Sequence, residues 1–323
     1  VMKQYVIIIT LISTLLGGSS CKEWLKVDSE DRIMEDALFQ SESGFFTALN
    51  GVYVHLLNTN LYGRTLTAGT FDILAQYYDT TKPLNSHTYR SLANFELQAK
   101  KDAVADTWKE AYFLIANINT ILEHCENDRS VLSESNYELI KGECLALRAM
   151  LHFEMFRIFG PIYSYEPGKV CIPYSDDTEK NVKPLLSAID VVDKILTDLN
   201  QAENLLLNVD PVITKGPQSS AEGNNRLRYR NLRLNYFAVQ ALTARVYLYA
   251  GNTTEAGRYA RKVISGASKF FPFATREQVN GQAATGTVNR EAEDRIFSSE
   301  VLFGAYNTQR STDIYDKLFS NKL

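Results

Sequence analysis

Cysteine, histidine and tryptophan are scarce in this chain: four Cys, four His and two Trp among 323 residues. The histidines, His55, His87, His124 and His152, share no C-x-x-C or H-E-x-x-H spacing with the cysteines, so a metal centre lacks a ligand set. No G-x-S-x-G nucleophile turn is present. The acidic groups at Asp176–Asp177 and at Glu291, Glu293 and Asp294 lie in loop-like stretches, where such clusters are ordinarily solvated faces. Neither catalysis nor a cofactor has a motif to rest on. An excess of positive charge is also lacking. Thirty-four Lys and Arg against 38 Asp and Glu leave a net charge of -4 with both signs interspersed, which speaks against nucleic acid as the main partner. Finally, no apolar run is long enough to span a bilayer. The longest, Tyr5 to Leu16, has 12 residues where a spanning helix needs about 20.

That short run has a different use. Lys3 supplies a positive start, the apolar stretch follows, and "GGSS" offers the small residues of a peptidase site. Residues 1–20 therefore read as a secretory signal. Cys21 sits where the small residues end and the polar chain begins, the place at which a lipoprotein signal is cut and the thiol takes a diacylglycerol. Leu usually stands three residues before such a cysteine; here that position is Gly18. Residues 21–40 read as a lipidated tether with apolar anchors Trp24, Leu25, Ile33, Leu38 and Phe39, docking at its far end. Of the remaining cysteines, Cys144 falls within a helical pattern and reads as a small core residue; no disulfide is expected among Cys125, Cys144 and Cys171.

The rest of the chain, residues 41–323, reads as an all-α domain. Ser41 caps a helix through "ESGFFTALNGVYVHLLN", with Phe45, Leu49, Val52 and Leu56 at helical spacing. A second stripe runs through Trp108, Tyr112, Ile115, Ile118 and Leu122. Ser135 and Glu138 form a capping box for "YELIKGECLALRAMLHFEMFRIFG", a helix apolar around most of its circumference and therefore central. Residues 161–184 read as a loop, Ser187 opens the next helix, and 208–224 read as a linker. "RLRYRNLRLNYFAVQALTARVYLYAGN" follows, then Asn252 capping "TTEAGRYARKVI". Small residues at Ala238, Ala241 and Ala244 face a partner carrying Ala256, Tyr259, Ala260 and Val263. This resembles a tetratricopeptide helix–turn–helix, in which small side chains let paired helices approach closely.

Residues 60–100 break the helical period. The stretch is rich in Thr, Asn and Tyr and is longer than an idle connection needs to be. Its candidate ligand residues are Arg64, Asp72, Gln76, Tyr77, Tyr78, Asn85, Tyr89 and Arg90. Aromatic rings stack on sugar C–H faces, while amides, carboxylates and guanidinium groups read hydroxyls. Tyr77 and Tyr78 are equally readable as packed core rings, and Asp72 as a helix cap.

Six stretches in order, "CKEWLKV", "EDALFQSESGFFTALNGVYVHL", "TWKEAYFLIANINTIL", "GECLALRAMLHFEMFRIFGPI", "ALTARVYLYAGNTTEAGRYARKVI" and "DRIFSSEVLFG", cover almost the whole chain. Together they resemble the SusD/RagB family of outer-membrane nutrient-binding lipoproteins of Bacteroidetes. The resemblance implies a tetratricopeptide-like helical scaffold carrying long irregular ligand-binding loops. It implies a lipid anchor at Cys21, a place on the outer leaflet of the outer membrane, and capture of an oligosaccharide or other nutrient for a SusC-like TonB-dependent transporter. Family members usually continue beyond "YDKLFSNKL", so it also implies that a C-terminal part is missing. The competing reading is a helical protein-interaction scaffold that binds no small ligand; the Tyr- and Asn-containing segment at 60–100 is the feature such a scaffold would not need.

Overall fold

A computed structural model describes residues 35, 37–78, 89–96, 98, 101–219, 225–281, 286 and 288–319. Cys21 and Asn85 lie outside the described residues, as does the tether before residue 35.

The chain is helical. Helix α1, Glu42–His55, starts at Ser41, whose side chain accepts the Gly44 amide, as its cap signature predicts. Two short helices, α2 (Thr70–Leu74) and α3 (Arg90–Ala93), interrupt the irregular stretch that follows. The long helices α4 (Lys101–Asn127) and α5 (Glu134–Phe159) come next. After a small two-stranded sheet the chain forms α6 (Ala188–Leu206), α7 (Val212–Lys215), α8 (Tyr236–Tyr249), α9 (Thr253–Ala267) and α10 (Arg276–Val279). Helix α4 packs on α1 and on α5, α5 on α6, α6 on α8, and α8 on α9. The result is a layered all-α scaffold, matching the expected class.

The centre of the stack is α5. Every residue from Gly142 to Phe156 is buried, which is why its pattern lacks a polar face. Phe153, Phe156 and Leu151 join Leu49 and Phe45 of α1, Ile115 and Ile118 of α4, and Leu199 of α6 in one continuous core. Each such side chain contributes about 1.5–3 kcal/mol by leaving water. Gly142 is needed where α5 crosses α6: a Cβ there would lie 2.8 Å from Leu206 Cγ. Phe39 is buried and stacks on the His124 ring at 4.0 Å, so the far end of the segment preceding α1 is docked.

The pair α8–α9 is the helix–turn–helix expected from its small residues. Gly251 occupies the left-handed region at φ 79 and lets the chain reverse. Asn252 then caps α9 by accepting the Glu255 amide.

Four expectations are corrected. Helix α5 does not begin with a Ser135/Glu138 box. It begins two residues earlier, after Ser133, whose amide and hydroxyl both donate to the Glu42 carboxylate of α1 at 3.2 Å. The 161–184 stretch is not only loop. Strands β1 (Val170–Pro173) and β2 (Leu185–Ser187) pair antiparallel, with Ile172 opposite Leu186. The 208–224 stretch is not a linker in its first part, because Asp210 and Val212 are buried. And "RLRYRNLRLN" is turn with a single 3-10 turn at Arg230–Leu232 rather than α-helix; α8 starts only at Tyr236, capped by Asn235.

Two buried arginines hold these irregular pieces. Arg148 of α5 makes a bidentate pair with Asp198 of α6 (2.7 and 2.8 Å) and also donates to the Asn119 side-chain oxygen and the Asp176 carbonyl. Asn119 donates to the Ser175 and Asp177 carbonyls, and Tyr174 donates to Asp198 at 2.6 Å. His152 donates from Nδ1 to the Arg148 carbonyl and accepts the Ser175 amide at Nε2. This network fastens the loop between β1 and β2 onto α4, α5 and α6. Its members are the acidic doublet's neighbours: Asp176 itself pairs with Lys194 at 2.7 Å, and Asp177 pairs with Lys183. The second arginine, Arg230, binds Asp210 and Glu143.

Candidate functional site

The irregular segment after α1 folds back on itself and builds a small core of its own. Ile73, Leu92 and Ala93 form its centre, with Leu74, Tyr78, Tyr89 and Leu318 packed around them. The candidate residues take different places on it. Gln76 sits at φ 62 and donates its side-chain amide to the Ala93 carbonyl at 2.9 Å. Tyr78 donates to the Ala68 carbonyl at 3.1 Å and sets its ring edge-on to Phe319, 5.6 Å between centroids. Arg64 reaches the Asp313 carbonyl at 3.4 Å. Asp72 stands in the first turn of α2, where burial pushes its carboxyl above the ordinary range. Burial, and then the Asp72 charge, raises the Tyr78 phenol. Tyr89 precedes α3 and Arg90 is its first residue. Tyr77 is 75% exposed and, unlike Tyr78, leaves its ring in solvent; Gln76 and Arg90 are exposed as well.

Beside this segment lies a cavity of about 950 Å³. Its walls come from three sources. Leu56, Tyr62, Leu66 and Thr67 belong to the end of α1 and the stretch after it. Met150, Glu154, Arg157 and Arg245 come from α5 and α8. Ile296, Phe303, Tyr306, Asn307, Arg310 and Ile314 come from the late irregular segment. Apolar rings and aliphatic carbons line most of it, with a few polar groups set among them, as in small-molecule and sugar sites generally.

The charged groups of this cavity were not among the sequence candidates. Glu154 is buried, with Arg157 at 3.1 Å and Arg245 at 3.9 Å. Burial pushes its carboxyl above the ordinary range, against the pull of both arginines. The nearby Tyr62 phenol is raised for the same reason, and the Glu154 charge adds to it. Asn307 accepts the Gln309 amide at 2.7 Å, while its own side-chain nitrogen is buried without a partner among the described residues. An unsatisfied donor of that kind costs about 1–3 kcal/mol. One signal did point here: a glutamate and, three residues on, an arginine near the end of a helix that is apolar around most of its circumference. A charge in such a helix is held for a reason other than solubility.

Elsewhere the chemistry is structural. Cys125, Cys144 and Cys171 are free thiols, and burial pushes the Cys125 thiol up to about 12. Among the described residues no group of three or more His, Cys, Asp or Glu is placed to hold a metal ion, and no helix is long and apolar enough to cross a membrane.

Comparison with known proteins agrees with this architecture. Residues 23–223 match the SusD-like family described as starch-binding and associating with the outer membrane. Two SusD-like proteins of Formosa agariphila are similar. One is 25% identical over 66% of this chain and 40% of its own length; the other is 24% identical over 93% of this chain and 54% of its own. A SusD superfamily protein from Bacteroides thetaiotaomicron superposes with a TM-score of 0.57 at 21% identity, covering 75% of this chain and 50% of that one. A SusD-like carbohydrate binding protein from Bacteroides vulgatus gives 0.57 at 20% identity, covering 75% and 48%. The chain thus spans about half the length of the relatives it matches. The match over residues 23–223, carried on the same helical architecture, means that the chain belongs to the SusD-like family.

Proposed function

We propose that this protein is a glycan-binding lipoprotein of the outer membrane, which captures an oligosaccharide and delivers it to a SusC-like TonB-dependent transporter. The observation that carries the reading is the family match, whose description is starch binding in association with the outer membrane. The geometry is in keeping with it. An open cavity presents the rings of Tyr62 and Tyr306 beside arginine donors, and the exposed Tyr77 stands on the adjoining segment. Rings that can stack on a sugar face, with forked donors around them, suit polyhydroxylated ligands. In this reading residues 1–20 are the signal, Cys21 carries the lipid, residues 21–40 are the tether, and residues 41–323 belong to the binding domain. The protein binds and hands on; cleavage of the glycan belongs to partner enzymes.

Affinity electrophoresis of the purified protein through gels containing a panel of polysaccharides tests the reading. Retardation by at least one polysaccharide is the expected result. No retardation across the panel, together with co-purification with an outer-membrane barrel, would instead establish the protein-interaction scaffold.

A further inference from the structure

The charged lining of the 950 Å³ cavity is one-sided. It consists of Glu154, Arg157, Arg245 and Arg310. Three arginines against one glutamate leave an excess of positive charge, in a chain whose net charge is -4. The single carboxylate is already shared, since Arg157 and Arg245 both approach it. Both guanidinium groups also sit beside the Phe153 ring, at 5.8 and 5.9 Å from its centroid. Arg310 is exposed and has no ion-pair partner among the described residues. Arg245 is more than half exposed, with its guanidinium only at the margin of contact with Glu154.

A neutral sugar does not call for this arrangement. Its hydroxyls are read as well by amides and carboxylates, and two guanidinium groups would keep their charge uncompensated. A planar guanidinium fork matches a carboxylate or sulfate with two parallel hydrogen bonds, and such charge-assisted contacts are roughly twice as strong as neutral ones. A cavity with low-dielectric walls and one sign of charge also concentrates ligands of the opposite sign.

We propose that this cavity selects an acidic glycan, seating the anionic group of the sugar, a uronate carboxylate or a sulfate ester, on Arg245 and Arg310. The proposal rests on the glycan-binding reading above and narrows its ligand class. Tyr62 and Tyr306 supply the apolar faces against which the sugar rings lie, and Glu154 holds Arg157 in place at 3.1 Å.

The test is calorimetric titration with four polymers: polygalacturonate, its fully methyl-esterified form, dextran sulfate and unmodified dextran. At least one acidic polymer should bind about tenfold or more tightly than its neutral counterpart, the gain of a charge-assisted contact. The polymer showing the preference identifies carboxylate or sulfate as the anion. The double variant Arg245→Gln/Arg310→Gln should lose the preference, whereas Lys109→Gln, which removes an exposed cation of α4 outside the cavity lining, should keep it. Equal or tighter binding of the neutral polymers, or a preference that survives in the double variant, overturns the proposal and leaves the glycan-binding reading standing. Binding to none of the four, and to no polysaccharide of the wider panel, overturns both.

Discussion

Arg230 and Asp210 face each other as a fork against a fork: Nε donates to Oδ1 and Nη2 to Oδ2, both at 2.9 Å, with both side chains almost wholly buried. The third guanidinium nitrogen donates to Glu143 at 2.6 Å. The other Glu143 oxygen accepts the Tyr53 hydroxyl, also at 2.6 Å, and that hydroxyl accepts the Leu234 amide. Asp210 accepts the amides of Val212 and Tyr236 as well. One cation therefore satisfies two buried acids and ties α1, α5 and the start of α8 together.

Removing that cation strands both acids. Arg230→Met should lower stability by about 3–5 kcal/mol, the cost of leaving buried charge uncompensated. Urea denaturation followed by circular dichroism reads this directly. A loss below about 1 kcal/mol would show that the two carboxylates find other partners.

His152 predicts an acid-sensitive fold. Burial is the main cause that brings its imidazole down from 6.5 to about 3, and the neighbouring Arg148 charge adds to it. The folded chain therefore refuses a proton that the unfolded chain accepts below pH 6.5. Its contribution to stability is complete above that value and is lost as pH falls from 6.5 toward 3. His152→Gln should be less stable at pH 7 yet show a flatter fall in unfolding free energy across that window. An unchanged slope would assign the acid sensitivity to other groups.

Tyr77 and Tyr78 should separate cleanly. Tyr77→Ala removes an exposed ring and should change stability by no more than about 0.5 kcal/mol while weakening retention by a bound polysaccharide. Tyr78→Ala removes the hydrogen bond to the Ala68 carbonyl and the contact with Phe319, and should cost about 1–3 kcal/mol. Unaltered retention of Tyr77→Ala would show that its ring is not a platform.

Cys21 bears on the anchor. Cys21→Ser should shift the protein from the membrane pellet to the soluble fraction, because each buried acyl methylene contributes about 0.8 kcal/mol of membrane affinity and the variant has none. A protein that stays in the pellet is held by something other than lipid.

How far the residues foretold this arrangement depended on distance along the chain. Ser41, Ser187 and Asn252 were legible as caps because each is a polar residue directly before an apolar period, and all three accept the expected amide. The Ser135/Glu138 box failed because the real start, Ser133, is bound to Glu42, 91 residues away, and no local pattern records that contact. The β1–β2 pair escaped notice because strands of four and three residues are too short to alternate. Adjacent Tyr77 and Tyr78 could not be told apart, since only the folded segment puts one ring against Phe319 and leaves the other in solvent. About half of the arginine-lined cavity comes from residues 296–314, mostly irregular backbone until the π-helix that starts at Ser311, so its charges could not be brought together in advance.

The Arg230 clasp also sets an order in time. Glu143 precedes its cation by 87 residues. At about 5–20 residues per second, Arg230 leaves the ribosome roughly 4–17 s after Glu143 does. Throughout that interval α5, the central helix, holds an acid with nothing to neutralise it, and water is the only solvent that will tolerate it. The middle of the stack therefore cannot close on its own. Packing around α5 is completed only once the chain has been made as far as the turn that precedes α8.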